Sequence, residues 1–149
     1  MGASVSEKVP DWLHEIAERI RTQDNRATAH PIFVVQEKVR DYGYDTDYTD
    51  DTVWLDDYQN HHEATEEEAR QLDDGTLDPD DGWTKVGYHD RWEFVQPFFT
   101  EAAADRYIET NGHRHSGVLR VYADSAYRNT EWIRLREWLK ALTPEVPHV

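Results

Sequence analysis

Cysteine is absent from the 149 residues. That excludes a disulfide scaffold, a thiol nucleophile and any zinc site built on thiolates. Bases are scarce: 16 Lys and Arg stand against 31 Asp and Glu, a formal charge of −15 at pH 7. A field of that sign repels a phosphate backbone, so direct nucleic-acid binding is not expected. No apolar run approaches the ~18 residues of a membrane span, and the start MGASVSEKVPDW has no basic-then-apolar leader. Gly2 has no second membrane signal near it, which argues against a lipid anchor. The seven glycines are scattered, so no phosphate-cradling loop, dinucleotide fingerprint or nucleophile elbow is written in the chain. Aromatic residues are plentiful. Six Trp, eight Tyr and four Phe place the chain outside the disordered class despite its charge. The expectation is a cytoplasmic globular protein with one domain over 1–149, able to bury about two-thirds of its unfolded surface.

Periodicity predicts a first helix over residues 10–22, where Val9, Trp12, Leu13, Ile16, Ala17 and Ile20 recur at helical spacing behind Pro10. A strand is expected over 32–40, with Phe33, Val35 and Val39 on one face and Val34, Gln36, Lys38 and Arg40 on the other. Residues 41–51 read as turn chemistry, and 52–55 as a short strand. The stretch 56–82 reads as an exposed acidic insertion with a short helix behind the Thr65–Glu68 capping box, anchored by Ala64, Ala69 and Leu72. A hairpin is expected next, with strands over 83–88 and 91–99 and His89-Asp90 at the turn. Thr100 should cap a helix that Gly112 ends, and 118–122 should be a strand. A last helix should start near Asn129 or Thr130 and present Trp132, Leu135, Trp138, Leu139 and Leu142. Neighbouring strands joined by short links point to an α+β fold, a small antiparallel sheet with helices on one face.

The charge is concentrated. Residues 41–81 carry sixteen acids and one base, Arg70, whereas 105–140 carry seven bases and five acids. The acidic run fits either a solvated surface or a phosphate-mimicking surface that competes for a basic groove on another protein. His61-His62-Glu63 and His113-Arg114-His115 resemble metal fragments, but each lacks a nearby third ligand, so no metal and no cofactor is expected. With 31 carboxylates some acidic pair exists at every spacing, which gives hydrolytic catalysis no positive support. Arg128 stands immediately before a helix start, where a cation is unfavourable. A bound anion would resolve the conflict, since free N–H groups and a guanidinium together make a phosphate site. Glu131 at that end, or an Arg128 side chain in water, would resolve it equally. Tyr127, Trp132, Phe98 and Phe99 supply either a stacking surface for a base or core.

Three stretches carry a resemblance: ATAHPIFVVQEKVRDYGYDTDYTDDTVW (27–54), WEFVQPFFTEAAADRYIETNGH (92–113) and YADSAYRNTEWIRLREWL (122–139). Together they resemble small phage-encoded accessory proteins, the first-described family of Thoeris anti-defence sponges. The resemblance implies a decorated WGR-like fold and binding without turnover. Such proteins sequester cyclic ADP-ribose isomers made by bacterial TIR-domain enzymes, and some also hold cyclic oligonucleotides. They are homo-oligomers with pockets between subunits. Carried onto this chain, the resemblance implies Arg128 for the pyrophosphate, backed by Asn129. It implies Asn111 and His113 for ribose hydroxyls and Phe99 for stacking, with Arg114 and Arg134 as further cations. The alternative partner is a bacterial defence protein, bound by an acidic anti-CRISPR or anti-restriction inhibitor that mimics nucleic acid.

Overall fold

A computed structural model describes residues 8–58 and 60–144. The chain order is α1 (Asp11–Thr22), β1 (Pro31–Tyr44), β2 (Thr52–Asp56), α2 (Glu66–Asp74), β3 (Trp83–Phe98), α3 (Glu101–Asn111), a 3-10 turn (Gly112–Arg114), β4 (Leu119–Ser125) and α4 (Thr130–Ala141). The fold is α+β, with a four-stranded antiparallel sheet in the order β2-β3-β1-β4. Among the described residues no helix is long and apolar enough to cross a membrane. The chain divides into two compact units, Met1–Glu37 with Glu93–Val149, and Lys38–Trp92.

In the first unit, Phe33 and Val35 lie two residues apart on β1 and therefore share a face. Both are buried and pack with Ala104 of α3; Phe98, Tyr107 and Val121 close around them. The register with β4 sets Phe33 opposite Ala123 and Val35 opposite Val121. α3 starts where the Thr100 hydroxyl accepts a hydrogen bond from the Ala103 N–H at 3.2 Å. α1 packs against α4, and Ala17 and Ile20 are its buried residues. Arg21 ties the two helices at their C-terminal ends, where its guanidinium donates to the Lys140 and Leu142 carbonyls.

The second unit holds β2 against β3, with Val53 opposite Val86 and Trp54 opposite Lys85. The Thr65 capping box forms in both directions, at 3.2 Å and 3.0 Å, and Gly75 ends α2 in the left-handed region. Leu72 of α2 and Leu55 of β2 are its buried apolar side chains. Thr49 lies so close over Gly87 that a Cβ there would meet its hydroxyl at 2.0 Å, so the strand carries glycine at the contact.

Three expectations are corrected by the structure. No hairpin turn forms at His89-Asp90; β3 runs unbroken from Trp83 to Phe98. The reason is a long-range one: Arg40 grips both oxygens of Asp90, at 2.8 and 3.0 Å, and Lys38 approaches to 3.4 Å. β1 continues beyond residue 40 to Tyr44, and the turn begins only at Asp45, whose carbonyl accepts from the Tyr48 N–H. Gly112 ends α3 as expected, and at φ −55° it leads directly into the 3-10 turn. Short links do not pair neighbouring strands, since β1 pairs with β4.

The Arg40 cluster makes stability depend on pH at both ends. Arg40 also donates to Glu63 at 2.9 Å, the Tyr42 hydroxyl donates to the same oxygen at 2.6 Å, and the guanidinium lies 3.8 Å from the Tyr88 ring centre. Hydrogen bonding from Arg40 holds the Asp90 carboxyl below its ordinary 3.8. A depressed acid stabilises the fold above its unfolded value, and that contribution is lost as pH falls through the lowered one. Partial burial, and then the Glu63 carboxylate, push the Tyr42 phenol up from 10.0 to about 12. That contribution is present below 10.0 and is lost as pH rises toward about 12. Denaturant titrations across pH are expected to show a shallower acid limb in Asp90→Asn and a shallower alkaline limb in Tyr42→Phe. Limbs identical to those of the parent protein would refute the assignment.

Candidate functional site

The first unit contains a cavity of about 440 Å³, inside the range of roughly 300–1,000 Å³ that small-molecule pockets occupy. Three segments distant in sequence build it: α1, the continuous stretch from the end of β3 into α3, and α4. α1 contributes Ile16 and Arg19, spaced three apart and so on one helix face. The end of β3 contributes Pro97 and Phe98, with Phe99 immediately after it. Thr100 and Ala103 come from the start of α3, and Trp132 from the first turn of α4. The lining is apolar and aromatic except for Arg19 and Thr100, and the Thr100 hydroxyl serves its own helix.

Phe99 and Trp132 stack face to face, with ring centres 4.2 Å apart and planes within 10°. Phe99 therefore turns one face to Trp132 and is not a free stacking platform. The indole Nε1 of Trp132 is buried and has no hydrogen-bond partner among the described residues. Arg19 has no ion pair or hydrogen bond through its guanidinium among the described residues. The nearby carboxylate Glu101, next to Thr100, is held by the Arg26 guanidinium, and that hydrogen bond raises the Arg26 pKa.

The structure divides the residues expected from sequence into two places. Arg128, Asn129 and Arg134 surround the start of α4, within a turn or so of Trp132. Arg128 is exposed, adopts a positive φ of 67° and sets its guanidinium 5.1 Å from the Tyr127 ring centre, with no carboxylate partner. The helix-end conflict is met by the cap: the Asn129 side-chain oxygen accepts from the Trp132 N–H at 3.1 Å, and Glu131 lies in the first turn. Asn129 is thus engaged with its own helix. Arg134 is exposed on α4.

Asn111, His113 and Arg114 lie at the opposite end of α3 from Phe99, about 16 Å away at 1.5 Å per residue. The Asn111 amide donates to the Tyr107 carbonyl at 3.2 Å and to the Thr110 hydroxyl at 3.0 Å. His113 and Arg114 are exposed in the 3-10 turn, while His115 meets the Tyr107 hydroxyl at 3.1 Å. Two residues escape a reading from sequence. Arg19 flanks the apolar stripe of α1 and reads as ordinary surface; its signal is its i+3 spacing from Ile16. Arg136 reads as solvent-facing and is buried at 1% exposure, while Leu135 and Trp138, expected on the apolar face of α4, are half exposed.

Among the described residues no three His, Asp or Glu side chains gather as a metal site. Glu63 of the His61-His62-Glu63 run is taken by Arg40 and Tyr42. Comparison of the chain with protein-family models, with curated proteins and with solved structures finds no match in any of the three.

Proposed function

We propose that this chain is a capture protein that binds an anionic, ring-bearing small molecule of the cyclic nucleotide class and does not turn it over. The observation that carries this reading is an aromatic-walled cavity whose one lining arginine, Arg19, has no carboxylate partner among the described residues. Apolar walls lower the local dielectric and strengthen any phosphate–guanidinium contact at their edge. The lining contains no His, Asp, Glu or Ser, which supports holding a ligand over transforming it. The resemblance to the anti-defence sponges supplies the biological setting: a homo-oligomer in the host-cell cytoplasm that withdraws a cyclic ADP-ribose isomer from a bacterial immune pathway. Arg128, one turn before Trp132, takes the pyrophosphate. Calorimetric titration with cyclic ADP-ribose is expected to give saturable binding that Arg128→Gln weakens about tenfold, or 1.4 kcal/mol. Absence of heat at millimolar ligand would remove the reading.

A second reading is favoured by one observation in the other unit. Each of its five cations is occupied internally: Lys38 and Arg40 on Asp90, Arg70 on Glu67, Arg91 on Asp41, and Lys85 over the Trp54 ring. The remaining carboxylates, beside Tyr48 and Tyr58 at 85% and 80% exposure, suit an inhibitor that occupies a basic groove on a defence protein. The two readings separate cleanly. Neutralising Asp45, Asp47, Asp50 and Asp51 together abolishes such inhibition and leaves nucleotide capture intact.

A further inference from the structure

We infer that Arg19, on the first helix, is an anion-holding residue of the cavity lining, in addition to Arg128, and makes the site select a phosphorylated ring over its neutral counterpart. The inference rests on the capture reading above and adds to it a residue and a selectivity. Arg19 is the cation in the lining; the remaining wall is hydrocarbon, aromatic ring and the committed Thr100 hydroxyl. Its neighbours on both sides are spoken for. Arg21 is bound to Glu18 and to the end of α4, and Arg26 to Glu101, which adjoins Thr100 of the cavity wall. The one guanidinium in the lining is therefore left without a counter-ion among the described residues, against an apolar and aromatic surface.

An exposed arginine such as Arg19 lays its hydrocarbon stem along an apolar wall and keeps its charged head toward water. It is a good recognition device. A guanidinium presents a planar fork of donors that matches two oxygens of one phosphate, and it is more weakly hydrated than an ammonium. The Phe99–Trp132 pair, already stacked on itself, leaves only its edges and outer surface for a bound ring, and a phosphate attached to that ring is then offered to Arg19. Charge complementarity thus commits the cavity to a nucleotide-like anion in preference to a neutral nucleoside or a lipid tail.

The test compares adenosine 5′-monophosphate with adenosine, two probes that differ by the phosphate alone, by equilibrium binding to the full chain. The parent protein is expected to bind the monophosphate about tenfold or more tightly than the nucleoside. Arg19→Gln should bring the ratio close to one while leaving adenosine affinity and the circular dichroism spectrum unchanged. Arg19→Lys should restore part of it, since charge returns without the fork. Arg106→Gln, a like change of net charge on the exposed side of α3, should keep the ratio. A ratio that survives Arg19→Gln, or that Arg106→Gln lowers equally, would overturn the assignment while leaving capture itself standing. Failure of adenosine, the monophosphate and cyclic ADP-ribose all to bind would remove both.

Discussion

Phe33→Ala is expected to cost about 3–5 kcal/mol, the range for emptying a buried aromatic site. Phe33 is fully buried at 0% exposure and lies at the centre of the first unit's core, between β4 and α3. Its neighbours come from four elements, so no single side chain can move to fill the void. Total stability of a domain is about 5–15 kcal/mol, so the change takes a large share of it. Chemical denaturation should show the midpoint falling sharply, with near-ultraviolet dichroism lost before far-ultraviolet dichroism if packing fails first. A loss below 1 kcal/mol would mean that Phe33 is not at the centre of the core.

Asn25→Ala is expected to cost about 3 kcal/mol, more than an ordinary amide deletion, because it strips a buried charge. Arg136 is 1% exposed, and its Nη2 donates to the Asn25 oxygen at 3.0 Å. Glu137 is 3.7 Å from Nη1, and Nε has no partner among the described residues. Burial lowers the Arg136 pKa, which expresses the same cost of desolvating the cation. Removing the charge should therefore be easier than removing its partner. Arg136→Met is expected to leave stability unchanged or to raise it by about 1 kcal/mol, and to rescue Asn25→Ala. Thermal melts of both single variants and the double variant measure the coupling. An Arg136→Met loss as large as that of Asn25→Ala would show that the guanidinium is a net stabiliser.

Helix starts were legible because their signals are local. Pro10, the Thr65–Glu68 box, Thr100 and Asn129 each stand at or next to the first turn they were expected to open. The antiparallel sheet and the α+β class follow from strand-like alternation between those helices. What escaped was set at long range. His89-Asp90 has turn composition, yet Arg40, fifty residues away, holds Asp90 in an extended strand. Arg136 carries a charge, and charge reads as surface until Asn25, 111 residues away, is seen to receive it. The cavity was illegible for the same reason. Arg19, Phe99 and Trp132 come from three elements whose meeting no local pattern announces. Phe99 was legible as an aromatic near a site but not as the partner of Trp132.

Capture without turnover is tested most directly by recovering the ligand. Purified protein saturated with cyclic ADP-ribose, freed of excess nucleotide and then heat-denatured, should release the cyclic compound intact, in a fixed ratio to chain, by mass spectrometry. Release of linear ADP-ribose or smaller hydrolysis products such as adenosine monophosphate in its place, or of no nucleotide at all, would contradict the account.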